Sequence, residues 1–271
     1  MDLRILYTDL DGTLVGPGGS LFAKPDGGVT TRATDAIAKL HERGVQLALV
    51  SGRTQDMTRE VARVVGAQAY IAELGALIVD RGDMRGPEEV VRNFGTYDGA
   101  GTPYDAMARS GAGAFLLERY GNRLEPHTPW SAQRREATML FRGELELDEA
   151  QGALDEAGYT WLMLHDNGII SRTFPGLSVE EVHAYHLVPR GVSKAGAVRI
   201  HLEREGLAPQ QAAAVGDSRS DLELAGEVRT LFIVANGRAS VGDAAEDTEN
   251  VRFTESTHGD GFAEAVELLL G

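Results

Sequence analysis

Apolar residues in this chain fall into short runs separated by amphipathic stretches. Residues 3–8 (LRILYT) are apolar and partly β-branched, which predicts a buried strand stopping at Asp9. Residues 16–28 are rich in glycine and hold two prolines, the chemistry of a loop. Residues 30–43 have apolar positions at Ala33, Ile37, Ala38 and Leu40, with threonine at the start and Gly44 at the end, so a capped helix is predicted. A second buried strand at 45–50 (VQLALV), a helix at 54–65 and strand pieces at 70–71 and 76–79 follow. This alternation is the signature of an α/β fold, a parallel sheet with helices on both faces.

The alternation breaks between Arg81 and Pro87. From there to about Val188 the pattern predicts a helix at 106–120 with a glycine interruption, a strand at 138–141, a helix at 148–157 and a strand at 161–165. Asp166-Asn167-Gly168 reads as a hairpin turn into a strand at 169–174, and residues 179–188 as helix or strand. After Pro189 the first pattern returns: a helix at 193–205, a strand at 212–215, a helix starting at 221–225, a strand at 230–234 and a terminal helix at 261–270. The expected organisation is one α/β domain in two pieces, 1–82 and 189–271, with an α+β domain inserted at 83–188.

Composition narrows the function. The chain has 271 residues and a formal net charge of −15, which argues against nucleic-acid and anionic-membrane partners. It has no cysteine, so disulfides and thiolate metal sites are excluded. No apolar run is long enough to span a membrane, and the opening residues have no secretory-signal pattern, so the cytoplasm is the expected compartment.

The candidate chemistry sits at predicted strand ends. Asp9 and Asp11, in Asp9-Leu10-Asp11-Gly12-Thr13, follow a buried strand, where carboxylates are costly unless compensated. One can serve as a nucleophile and the other as an acid, and a surface turn is the competing reading. An EF-hand is rejected because its twelfth position is Ser20. Ser51, Gly52 and Arg53 end the second strand as a phosphate cradle or a helix cap. Lys194 stands out because the chain holds three lysines against twenty-three arginines. Asp217 ends another strand and Asp221 lies four residues on, so the two can converge on one cation. Together these residues make a complete set for phosphoryl transfer.

The order DxDGT, SGR, Lys, GDSxxD resembles the haloacid dehalogenase superfamily of phosphatases. The resemblance implies a Rossmann-like core with Asp9 as nucleophile and Mg²⁺ ligand. It makes Asp11 the general acid/base, with its carbonyl on the metal. Ser51 would hold a phosphoryl oxygen, Lys194 would bridge phosphate and nucleophile, and Asp217 and Asp221 would complete the metal site. Gly52, Arg53 and Thr13 are the candidate substrate contacts. The position of the insertion resembles the subfamily with a large α/β cap, which includes sugar-phosphate, sucrose-phosphate and mannosyl-3-phosphoglycerate phosphatases. Residues 71–76 (IAELGA) resemble the "ENGA" element of the last two, with Leu74 in place of asparagine. Ser220 and Ala195 are two further departures from the family pattern.

Within the insertion, Arg134, Arg135 and His127 are candidates for anion recognition, set against a solvated role. His183 and His186 read as structural or surface residues, and Trp130 and Trp161 as core. The expected activity is hydrolysis of a small phosphorylated metabolite, a sugar phosphate or phosphoglycerate type, by a monomer or homodimer. A phosphomutase or phosphotransferase with the same nucleophile, a receiver module and a non-catalytic phosphate sensor are the competing classes.

Overall fold

The computed structural model describes residues 2–82, 86–170 and 172–271. The chain separates into two compact units, one made of the residues up to Arg92 together with Ser193–Gly271, the other of Asn93–Val192. The first unit begins with β1 (Ile5–Thr8), α1 (Arg32–Glu42), β2 (Gln46–Val50), α2 (Gln55–Val65), β3 (Ala69–Ala72), β4 (Leu77–Asp80) and β5 (Glu89–Arg92). The second contains α3 (Pro103–Ser110), α4 (Ala112–Tyr120), β6 (Leu124–Pro126), β7 (Met139–Gly143), α5 (Leu147–Glu156), β8 (Leu162–Ile169) and β9 (His183–Pro189). The chain returns through α6 (Lys194–Glu205), β10 (Ala212–Gly216), α7 (Arg219–Leu222), β11 (Thr230–Ile233), β12 (Val251–Phe253) and a terminal helix, His258–Leu270.

The large sheet has the order β12-β11-β10-β1-β2-β3-β4-β5. It is parallel from β12 to β3 and antiparallel at β4 and β5. β1 is buried on both faces, as its unbroken apolar run requires. Ile5 and Tyr7 pack on one side with Val198 and Leu202 of α6. Because β1, β2, β10 and β11 run parallel, their carboxyl ends share one edge, the usual ligand-binding edge of such sheets. The other unit is a four-stranded antiparallel sheet, β6-β7-β9-β8, whose core joins Phe141, Leu164, Tyr185 and Leu187 to Met107, Leu116 and Leu154 of the helices.

The structure departs from the sequence reading in several places. Glu89–Arg92 pairs antiparallel with β4 and extends the large sheet beyond the expected end of the first piece at residue 82, while residues 83–85 lie outside those described. Residues 190–192 belong with the inserted unit, because Arg190 accepts from Thr96 N–H and donates to Asp155. Asp166-Asn167-Gly168 does not close a hairpin. It lies inside β8, where Asp166 accepts from Gly168 N–H and the register with β9 shifts between Asp166 and Ile169. The same turn chemistry is satisfied by a bulge. The expected strand at 169–174 does not form beyond Ile169, and Ser171 of that stretch is outside the described residues.

Residues 73–75 are an unusual feature of the core. Glu73, Leu74 and Gly75 have φ of 49°, 58° and 110°, and all three are buried. Glu73 N–H donates to Arg53 O and Leu74 N–H to Ser51 O, which ties this turn to the end of β2. Left-handed backbone at Leu74 costs roughly 1–2 kcal/mol, which the asparagine of the similar element would lessen. Gly75 is obligatory, since a Cβ there would lie 2.1 Å from Ser193 O. Gly75→Ala is therefore expected to destabilise the protein by about 3 kcal/mol or more, from backbone overlap and left-handed strain together. An unchanged denaturant midpoint would show that the turn can open at this point without cost.

Candidate active site

Asp9 follows β1 directly, its N–H donating to Val215 O at 3.0 Å, so the sheet hydrogen bonding fixes its backbone. Its side chain is buried, and Oδ1 accepts from Lys194 Nζ at 2.8 Å. The same ammonium donates to Asp221 Oδ1 at 2.7 Å. Lys194 is the first residue of α6, whose N-cap is Ser193, with Ser193 Oγ accepting from Gly196 N–H. The helix start therefore sets where the lysine stem enters the core.

Asp221 is fully buried. Its Oδ2 accepts from Ser218 Oγ at 2.6 Å, Ser218 N–H at 3.0 Å and Asp217 N–H at 3.2 Å. These contacts also make Asp221 the third residue of a capping box on α7. Oδ2 thus accepts three hydrogen bonds, while Oδ1 accepts from Lys194.

Asp217 presents its two oxygens differently. Oδ1 accepts from Thr13 Oγ1 at 3.1 Å, and Oδ2 from Asn236 Nδ2 at 3.3 Å. A Cβ at Gly12 would lie 2.1 Å from Asp217 Oδ2, so the glycine of the first motif lets the two strand-end loops meet. Asn236 also donates to Gly12 O at 2.9 Å. This residue escaped the sequence reading. Its only signal was a polar side chain just past the end of a parallel strand.

Asp9, Asp217 and Asp221 offer carboxylate oxygens within 4.8 Å of one another. Burial pushes Asp9 up; Lys194 pulls it back and Asp221 adds to the rise, leaving it at about 7. Burial, then Asp9 and Asp221, hold Asp217 well above the usual carboxylate range. Lys194 would be lowered by burial, but Asp221 and Asp9 outweigh that and raise it. Three acids thus face one ammonium. A hard divalent cation would relieve the excess negative charge, and an all-oxygen donor set suits one.

Asp11 and Arg53 form a separate pair. Arg53 Nε donates to Asp11 Oδ2 at 2.7 Å and Nη2 to Oδ1 at 2.5 Å, a two-pronged clasp. Ser51 is buried at the end of β2, where its Oγ accepts from Arg53 N–H at 3.2 Å. The adjacent Gly52 is also buried.

In the other unit, Arg135 is buried and donates to Thr138 Oγ1, which rules out the solvated role for it, whereas Arg134 is exposed. Burial, then Arg142 and Arg135, push His127 down to about 4. His183 binds Asp166 and Glu181, and His186 is buried. Trp161 packs on Tyr97 at the edge of the core, but Trp130 is 42% exposed and is not core.

A family model for haloacid dehalogenase-like hydrolases matches residues 6–88 and 169–266. The chain belongs to the haloacid dehalogenase-like hydrolases. The motif order had pointed to this family. A phosphoglycolate phosphatase of Methanoculleus marisnigri is 28% identical over 269 residues, covering 98% of this chain and 96% of that protein. Another, from Methanospirillum hungatei, is 26% identical with 98% and 96% covered. The sucrose-phosphatase of Synechocystis, solved with sucrose and phosphate, superposes with a TM-score of 0.66 at 18% identity, covering 99% of this chain and 98% of that one. It shares the hydrolase's fold. Among the described residues no helix is long and apolar enough to cross a membrane.

The raised Asp9 gives a signed prediction for the metal-free hydrolase. The folded state keeps a proton that the unfolded chain releases near pH 4, so this group's contribution to stability is full below about pH 4 and is lost as pH rises through about 7. In EDTA, wild type should lose melting temperature relative to Asp9→Asn across that window. A difference independent of pH would contradict the assignment.

Proposed function

We propose that this phosphatase hydrolyses a small phosphomonoester in a Mg²⁺-dependent reaction that passes through an aspartyl phosphate on Asp9. The observation that carries the reading is the buried contact of Asp9 with Lys194, with Asp217 and Asp221 beside it. A carboxylate shielded from water and paired to an ammonium is suited to attack an anionic phosphoryl group, because the ammonium offsets the repulsion between them. The cation would be held by Asp9, Asp217 and the Asp11 carbonyl, with Asp221 behind them, and when bound supplies the positive charge that phosphoryl oxygens require.

In the first step an Asp9 oxygen bonds to phosphorus, the ester P–O bond breaks, and the leaving alkoxide takes a proton from Asp11. In the second, a water oxygen attacks phosphorus, the water's proton passes to Asp11, and the bond between phosphorus and Asp9 breaks to release inorganic phosphate. Lys194 holds the nucleophile throughout. Ser51 and Gly52 are the proposed contacts of the phosphoryl oxygens; Thr13, also a candidate, is buried with its hydroxyl donating to Asp217 Oδ1 and its N–H to Leu10 O, so it supports that carboxylate instead. Both Asp11 oxygens accept from Arg53, so donating a proton requires Asp11 to turn away from that clasp, and Arg53 is then free to meet an anionic group of the substrate. The names of the full-length relatives make 2-phosphoglycolate the first substrate to try, followed by sugar phosphates and phosphoglycerates.

Phosphate release from such a panel, with Mg²⁺ and with EDTA, tests the reading. Activity should require the metal and vanish in Asp9→Asn. Near-normal release by that variant would remove Asp9 as nucleophile. Asp11→Asn should slow turnover by at least ~10²-fold on alkyl phosphates, the usual scale for lost acid catalysis. Full activity after thorough metal removal would refute the cation's role.

A further inference from the structure

Asn236 belongs to none of the motifs, yet its side chain makes three contacts, two of them at the acid cluster and one with the start of the terminal helix. It lies in the short turn after β11, where Gly237 packs so closely that a Cβ would sit 2.6 Å from the Asp217 backbone. The amide orientation is fixed by its partners. Asn236 Oδ1 accepts from His258 N–H at 2.9 Å, while Nδ2 faces two acceptors, Gly12 O at 2.9 Å and Asp217 Oδ2 at 3.3 Å. A flipped amide would set oxygen against two oxygens and nitrogen against an N–H.

We propose that Asn236 is a positioning residue for the cation site, holding Asp217 and the loop of Asp9 to Gly12 at a fixed separation through one side-chain amide. The inference rests on the reading of Asp9 and Asp217 as ligands of a divalent cation. Two loops from different strands, more than two hundred residues apart in sequence, must present their oxygens together. Thr13 restrains one oxygen of Asp217 and Asn236 the other, so the carboxylate cannot rotate freely. Both donors are neutral, which orients the carboxylate without cancelling the charge a cation needs. Donors behind metal ligands act in this way, and their loss commonly weakens metal affinity 10–100-fold.

The test is direct titration of Mg²⁺ into the full-length, metal-free protein, wild type against Asn236→Ala, followed by melting temperature without metal. Asn236→Ala should bind Mg²⁺ about 10–100-fold more weakly. Its metal-free melting temperature should stay close to wild type, and kcat should recover at saturating Mg²⁺. A purely structural role would lower the melting temperature and leave the Mg²⁺ affinity of the folded protein unchanged. Should the alanine variant not fold, Asn236→Ser, whose hydroxyl is too short to bridge both acceptors, carries the same comparison. Wild-type affinity in the folded variant overturns the inference alone. A wild-type protein that binds no Mg²⁺ overturns the cation reading and the inference with it.

Discussion

The arrangement depends on one buried ammonium. Lys194 Nζ lies between Asp9 and Asp221, with all three side chains removed from water. Each charge would be untenable alone at that depth, and removing one partner from such a group typically costs about 3–5 kcal/mol. The contact joins the end of β1, the start of α6 and the short helix α7 after β10, so it ties the two halves of the split unit together at the acid cluster. The choice of lysine in an arginine-rich chain has a geometric reason. A compact ammonium reaches two oxygens from a single nitrogen at 2.7–2.8 Å, whereas a planar guanidinium would need a wider gap.

That ammonium balances two acids and leaves a third uncompensated. Asp217 is close enough to Asp9 and Asp221 for all three to share one cation, and burial first, then repulsion among the acids, holds Asp9 and Asp217 above the usual carboxylate range. Arg53 could have supplied it, but its guanidinium is committed to Asp11. The glycines around the cluster follow from the same crowding. Gly12 and Gly237 border Asp217, and Gly216 borders Asp221, each so closely that any β-carbon would overlap it.

Much of this was legible in the sequence, and the parts that were not share a physical cause. Central parallel strands such as β1 and β2 are buried on both faces, so their apolar runs announce them. β5 (EVVR) and β12 (VRF) are the sheet's edges, half in solvent, and their mixed composition hides them. At Asp166-Asn167-Gly168 local chemistry permits a hairpin or a bulge, and only long-range pairing with β9 decides. The acids were legible because carboxylates beside buried apolar strands demand an explanation. Trp130 was misplaced by residue type alone, since an aromatic ring carries no record of whether a neighbour covers it.

Asn236 illustrates the limit most sharply. A neutral amide at the end of a strand carries no charge penalty, so nothing in the local sequence asks what compensates it. Its importance arises only when β11 is placed beside β10, bringing the amide to the carboxylate that Thr13 already holds from the other side. A lysine or arginine there would be easier to read in a sequence, but it would neutralise Asp217 and compete with any cation for it. The division follows from the charge balance. On the proposed reading, a cationic donor serves Asp9, which would have to approach an anionic phosphoryl group, and neutral donors serve Asp217, which would have to keep its charge for a cation.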